Sequence, residues 1–272
     1  MTATIRFATF LAPTIYPTYE HIVRYVGEKM NCPTTLAVGQ SFEEFAAGQV
    51  DVGFICGLPY VHLADSPTCP VELLAAPVLQ GKRYQQRPIY FSDVIVQSDS
   101  PYAAFDDLRG CVWAYNQRAS HSGYNLVCYS LLERGKTLPY FGKIVETGSH
   151  QRSVETVLKG QVDAAAIDSH LLDVFLVQNR DIATKLRVVD MLGPSSIPPV
   201  VVAKRLDDGL KLRIQEVLLT MHLDSDAAGG LHKGLIDRFV LVADDDYGDI
   251  RAMFARVQEM KLPLYGGTHH DH

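Results

Sequence analysis

"FAAGQVDVGFICG" (Phe45–Gly57) returns in altered form as "VLKGQVDAAAIDS" (Val157–Ser169). The shared Gly-Gln-Val-Asp stands at Gly48–Asp51 and again at Gly160–Asp163. In both places a helical run stops at glycine and an apolar strand begins at the next Val-Asp, the order expected where glycine closes a helix. A common helix-stop composition recurring by chance would leave the same tetrapeptide. The matching order and register favour two lobes that share one helix-turn-strand step.

The surroundings extend the pattern. "TIRFATFL" alternates like a strand and ends at Pro13. "YEHIVRYVGEKM" carries apolar residues at helical spacing, and "TTLAVGQ" reads as a strand. "SFEEFAAGQ" reads as a helix capped by Ser41, with Glu44 at the capping-box position. "VELLAAPVLQ" and "YFSDVIVQ" follow as strands. The second stretch repeats the logic: strand "CVWAYN", helix "SGYNLVCYSLLERG", strand "FGKIVETG", helix "SHQRSVETVLKG" and strand "VDAAAIDS". Such alternation argues for an α/β fold with largely parallel sheets. Later, "PSSIPPVVVAKRLD" supplies an extended segment that pairs with "PIYFSDVIVQSDSP" as a second crossover between lobes. "LDDGLKLRIQEVLLTMHL" is an amphipathic helix, "DAAGGLHKG" reads as a glycine-rich turn, and "YGDIRAMFARVQEMK" is a last helix. "YGGTHHDH" reads as a frayed end whose histidines have no scaffold to fix a metal.

Composition narrows the class. At 272 residues the chain can bury one large core or two modest ones. Its 47% hydrophobic and 21% charged residues are those of an ordinary globular protein. A net charge of -6 gives no global field favouring nucleic acid or an acidic membrane. The five cysteines, Cys32, Cys56, Cys69, Cys111 and Cys128, are odd in number and scattered, so most are expected to be buried small apolar residues. No run approaches the roughly 18 apolar residues of a membrane span. The opening, from Met1 into "TIRFATFL", shows no secretory leader, which fits either a cytoplasmic protein or a mature start.

The chemistry gathers where apparent strands meet apparent helices. "AYNQRASHSGYN" (Ala114–Asn125) sets Ser120, His121, Ser122 and Gly123 at a helix start. Unpaired backbone N–H groups and a partial positive charge make that end an anion site. The serine hydroxyls could cap it or donate to an oxyanion, Gly123 permits close approach, and His121 could add a donor. A plain capped helix would leave a similar trace. A Ser–His hydrolase is disfavoured, because no G-x-S-x-G elbow is present and adjacent side chains point apart. "ETGSHQRSVE" places His150 at the next helix start, again past a strand end, where open α/β sheets bind ligands. "IDSHLLD" ends the echoed strand with Asp168, which could accept from a ligand or lie in a solvent-facing loop. Tyr90 and Ser92 precede an apolar strand, where Tyr90 could equally be a core aromatic.

Taken together, "SHSGY", the helix-opening "GSH", "GQVDAAAIDS", "FAAGQVDVGFICG" and "YFSDVIVQSDSP" resemble the periplasmic phosphate/phosphite/phosphonate-binding subunits of ABC importers. The resemblance runs over roughly residues 4–262. It implies a type II periplasmic-binding-protein fold, two Rossmann-like lobes joined by two crossover strands, with lobe 1 at residues 1–93 plus 200–272 and lobe 2 at 94–199. A ligand cleft between them would close by a hinge without chemistry. The family's Ser-Thr-Ser-Gly run, which clasps the oxyanion, falls on Ser120, His121, Ser122 and Gly123. Its helix-opening histidine falls on His150 and its crossover tyrosine on Tyr90.

Three departures are visible. His121 replaces a threonine, Cys56 stands where an aromatic is frequent, and "LAPTIYP" lacks the polar run, leaving Thr14 and Tyr16 to line the cleft. Ser92 is expected beside Tyr90, completing the cage from the lobe opposite Ser120.

The reading is therefore a solute-binding protein for a small oxyanion of the phosphate, phosphite or phosphonate class. It would act as a monomer beside an ABC permease, with no cofactor, metal or nucleic acid, outside the cytoplasm if a leader was removed. The alternatives on the same fold are a cytoplasmic menaquinone- or thiamine-pathway-like enzyme acting on a small carboxylate, with His150 or Asp168 as acid or base, and a ligand-sensing module.

Overall fold

In a computed structural model describing residues 4–136 and 139–259, the Gly-Gln-Val-Asp echo is one device built twice. Gly48 and Gly160 both take the left-handed backbone, at φ 71° and 63°. In each case the next residue closes the helix end from five positions back, Gln49 N–H to Glu44 O and Gln161 N–H to Thr156 O. The aspartates then lock onto the neighbouring strand. Asp51 N–H donates to Arg6 O and its carboxylate accepts from Arg6 N–H; Asp163 does the same with Val112, at 2.8 and 2.6 Å. Asp51 also pairs with the Arg6 and Arg205 guanidinium groups. Burial pushes its pKa up, and the arginine hydrogen bonds outweigh that and hold it below the ordinary carboxylate value.

The chain begins with β1 (Ile5–Thr9), α1 (Tyr16–Met30), β2 (Thr34–Val38), α2 (Glu43–Ala46), β3 (Val52–Phe54), α3 (Gly57–Ala64) and β4 (Val71–Leu79). It continues through β5 (Ile89–Gln97), β6 (Val112–Tyr115), a π-helical turn His121–Asn125 that runs into α4 (Leu126–Glu133), β7 (Lys143–Glu146), α5 (His150–Leu158) and β8 (Ala164–Asp168). The last part comprises α6 (Ser169–Gln178), α7 (Arg180–Ala183), β9 (Leu186–Ser196), β10 (Val200–Ala203), α8 (Asp208–Thr220), α9 (Ser225–Lys233), β11 (Ile236–Val240) and α10 (Gly248–Glu259). Among the described residues no helix is long and apolar enough to cross a membrane.

Two sheets result, ordered β11-β4-β10-β3-β1-β2 and β7-β6-β8-β5-β9. Each contains three parallel strands with the first in the middle, β2-β1-β3 and β7-β6-β8, and an antiparallel strand beside the third, β10 or β5. This is the shared doubly wound plan that the echo predicts.

The chain divides into two compact units. Of the described residues, those from 4 to Tyr90 join Ser195–Asp249, and those of Phe91–Pro194 join Ile250–Glu259. These bounds differ from the expected ones: the first crossing falls after Tyr90 rather than residue 93, the second after Pro194 rather than 199. The tail also returns to unit 2, because Val257 of α10 lies in the same core as Trp113, Phe105 and Phe141. The Trp113 and Phe141 rings stack there at 4.3 Å and 12°.

The expected turn at "DAAGGLHKG" is instead α9. Asp224 caps it by accepting from Asp226 N–H, and it packs on α1. Its glycines serve close approach: a Cβ on Gly230 would stand 2.1 Å from the His21 ring. Of the cysteines, Cys111 and Cys128 are buried, while Cys32, Cys56 and Cys69 are only half-buried. The expected frayed end "YGGTHHDH" lies outside the described residues.

Candidate functional site

In unit 2 the parallel strands β6, β7 and β8 each deliver the chain to a helix at their carboxyl ends. β6 leads to the π turn and α4, β7 to α5, and β8 to α6. With β6 between its partners, the strand order reverses there, and such an edge is where α/β sheets receive ligands.

The π turn is shaped by Ser120. Its Oγ accepts from Gly123 N–H at 3.1 Å and its carbonyl from Asn125 N–H at 3.1 Å. Widened turns of this kind concentrate at functional sites. Ser149 caps α5 likewise, accepting from Arg152 N–H at 3.2 Å. Thr147 ties that loop back to β6, donating to Tyr115 O at 3.0 Å. The two helix starts then meet: Ser122 Oγ and His150 Nε2 are hydrogen-bonded at 3.1 Å. Ser92 fixes the turn from β5 by donating to Ser122 O at 2.7 Å. Ser92 is fully buried and lies opposite Asp168 in the β5–β8 register. It therefore supports Ser122 from within the same unit, and does not face it from the other lobe as the sequence suggested.

The electrostatics rest on neutral donors. His121 is fully buried; its Nδ1 accepts from Asn125 Nδ2 at 3.1 Å, and burial pushes its pKa down to about 3. It braces the turn as a neutral ring and brings no charge. Burial also pushes His150 down to about 4, with the Ala166 backbone acting in the opposite direction. The helix N-termini contribute positive potential, about half a charge each. Asp168 caps α6, accepting from His170 and Leu171 N–H at 2.9 and 3.2 Å. Burial pushes its pKa up to about 7; the two N–H bonds oppose this, and the charges of Asp93 and Asp173 add to it. Its carboxylate is spent on the helix end, so it is a cap before it is a ligand group.

Four sequence-derived residues lie in unit 1. Thr14 has a buried Oγ1 with no hydrogen-bond partner. Tyr16 gives its hydroxyl proton to Leu36 O at 3.3 Å. Cys56 is the N-cap residue of α3, with no side-chain cap bond. Tyr90 is fully buried at the start of β5. Among the described residues no group of three His, Cys, Asp or Glu side chains is placed to share a metal ion.

Sequence reasoning missed Asn116. It follows β6 directly, and its Oδ1 would stand 1.9 Å from a Cβ on Gly123. Its signal was a polar residue at the first position past a buried strand, inside the stretch already singled out.

Comparison with known proteins identifies the family and the fold. Residues 7–247 match the family model described as the periplasmic substrate-binding protein of phosphonate ABC transporters. A binding-protein component of an ABC phosphonate transporter from Pseudomonas aeruginosa is similar at 16% identity and TM-score 0.83, covering 96% of this chain and 88% of that one. PhnD1 from Prochlorococcus marinus, solved with methylphosphonate, is similar at 14% identity and TM-score 0.77, over 94% and 98% of the two chains. XAC2383 from Xanthomonas citri, solved with ATP, is similar at 17% identity and TM-score 0.71, over 96% and 98%. The structural likenesses establish a periplasmic-binding-protein fold, and the family match favours transport over the pathway-enzyme alternative. With the matched model spanning both copies of the echo and the helix starts at Ser120 and His150, this chain belongs to the family of periplasmic substrate-binding proteins of phosphonate ABC transporters.

Proposed function

We propose that this protein captures a small phosphorus oxyanion, such as phosphate, phosphite or an alkylphosphonate, and presents it to an ABC permease outside the cytoplasm. The observation that carries this is the meeting of two capped helix starts, His121 onward and His150 onward, through the Ser122–His150 hydrogen bond. Two N-termini at one strand edge supply backbone donors and positive potential without a bound cation. Ser120 and Ser122 add hydroxyls, Gly123 permits close approach, and neutral His150 supplies a ring nitrogen. His121, Ser92 and Asp168 act one step back, by holding the π turn and the start of α6. The protein works as a monomer that closes on its ligand.

Titration calorimetry with phosphate, phosphite and methylphosphonate tests the reading. Saturable one-to-one binding of at least one of them is expected, weakened about tenfold or more by Ser122→Ala, since hydrogen bonds to charged groups contribute about 1.5–3 kcal/mol. No binding of any of the three across a broad pH range would sink it.

A further inference from the structure

Asn116 holds a buried acceptor among donors. The residue is 9% exposed, and Oδ1 has no hydrogen-bond partner. Its backbone is fixed, because Asn116 O accepts from Gly148 N–H at 2.9 Å, the residue that opens the loop into α5. From the point where a Cβ on Gly123 would stand, Asn116 Oδ1 is 1.9 Å away and His150 Cε1 is 3.2 Å. The amide oxygen, the glycine of the π turn and the His150 ring therefore converge on one spot.

Buried polar atoms are nearly always paired, and leaving one unpaired is costly. A fully ionised oxyanion cannot satisfy this one: it offers only acceptors, and an amide oxygen repels it. A phosphorus oxyanion that keeps one proton offers a P–OH. We propose that Asn116 Oδ1 accepts a hydrogen bond from that hydroxyl, so that the site prefers ligands carrying a P–OH over isosteric anions that carry none. This rests on the oxyanion reading given above and adds to it a specificity-determining residue and a protonation state. The titratable and charged groups on the surrounding elements are Tyr115 on β6, Arg118 in the loop that follows, His121 and Tyr124 in the π turn, Lys143 and Glu146 on β7, His150, Arg152 and Glu155 on α5, and Asp168 at the end of β8. Glu146 is already engaged by the Tyr115 hydroxyl at 2.7 Å.

The test is calorimetry on the full chain at one mildly acidic pH, with methylphosphonate and methanesulfonate. There the two probes share charge and near-identical shape and differ in one ligand proton. The native protein is expected to prefer methylphosphonate by about tenfold or more. Asn116→Ala should collapse that ratio to within about twofold, mainly by weakening methylphosphonate. Asn116→Asp, which keeps an acceptor, should weaken both anions and retain the preference. Each variant is read only where its melting curve matches the native one, and Asn116→Leu, which also lacks an acceptor, serves if Asn116→Ala does not fold. Equal native affinities overturn the inference, as do equal losses for both anions in Asn116→Ala, the pattern of an amide N–H donor. Binding without discrimination overturns this inference alone. Failure to bind phosphate, phosphite or methylphosphonate at all overturns the function as well.

Discussion

Gly123→Ala adds one methyl group to the helix start that the proposed site depends on. Without relaxation the new Cβ would lie 1.9 Å from Asn116 Oδ1, 2.9 Å from its Cγ and 3.2 Å from His150 Cε1. The first distance is more than an ångström short of van der Waals contact, so the Asn116 side chain must change rotamer. It has little room, being buried and anchored through its carbonyl to Gly148. Overpacking of this kind costs about 1–3 kcal/mol. Alanine gains up to about 1 kcal/mol over glycine within a helix, and Gly123 is not among the residues with positive φ, so that gain applies. The net expectation is a loss of about 0–3 kcal/mol, a fall in Tm of at most about 10 °C for a chain of this size. Ligand affinity should suffer more, because both Asn116 and His150 are displaced from where the anion is received. Calorimetry should show methylphosphonate binding weakened about tenfold or more, while differential scanning fluorimetry shows a protein still cooperatively folded. A variant that melts higher than the native protein and binds unchanged would refute the close approach and the placement of the site.

Acid stability has a sign set by two buried histidines and one half-buried carboxylate. His121 and His150 are depressed to about 3 and about 4 in the folded chain, so below 6.5 the unfolded chain binds two protons that the folded one refuses. Asp168, raised to about 7, acts oppositely, since the folded chain keeps a proton that the unfolded one releases above 3.8. The balance is one proton, and stability should fall by about 1.4 kcal/mol per pH unit between roughly pH 6.5 and pH 4. Asp51, depressed below 3.8, adds its loss only under that window. Urea unfolding at several pH values reads the slope, and flat or rising stability on acidification would contradict it. Neighbouring glycines of α9 should behave in opposite ways. Gly229→Ala meets nothing within 4 Å and should stabilise by about 0.5–1 kcal/mol, whereas Gly230→Ala strikes the His21 ring and should destabilise by about 1–3 kcal/mol; thermal melts of both variants check the contrast. The echoed aspartates should differ in cost. Asp163→Ala orphans the Val112 N–H at about 1–3 kcal/mol, and Asp51→Ala should cost more, because two arginines lose their partner as well; equal denaturation midpoints would argue against the shared device.

Much of the architecture was written locally. Gly48 and Gly160 stop helices because the left-handed turn suits glycine, and the Val-Asp that follows enters a strand in both units. Strand alternation, the Glu44 carboxylate that accepts from Ser41 N–H, and the helix starts at Ser120 and Ser149 are likewise properties of a few adjacent residues. Hence the α/β class, the two lobes and the helix starts at Ser120 and Ser149 were legible from the sequence alone. Other features depended on partners far away in the chain. "DAAGGLHKG" carries turn composition, and only α1 packed against it shows that its glycines make room for His21. The unit that α10 joins was decided by Val257 reaching the core of Trp113, which no local pattern encodes. At the site, the sequence by itself placed Ser120, Ser122, Gly123 and His150 at helix starts, where unpaired N–H groups attract anions. Tertiary structure decided their roles: burial makes His121 a neutral brace, Ser92 reaches Ser122 across the sheet, and Asn116 Oδ1 is left without a donor beside Gly123. Burial and pairing depend on which strands become neighbours, and chain-distant contacts settle that after local propensity has done its part.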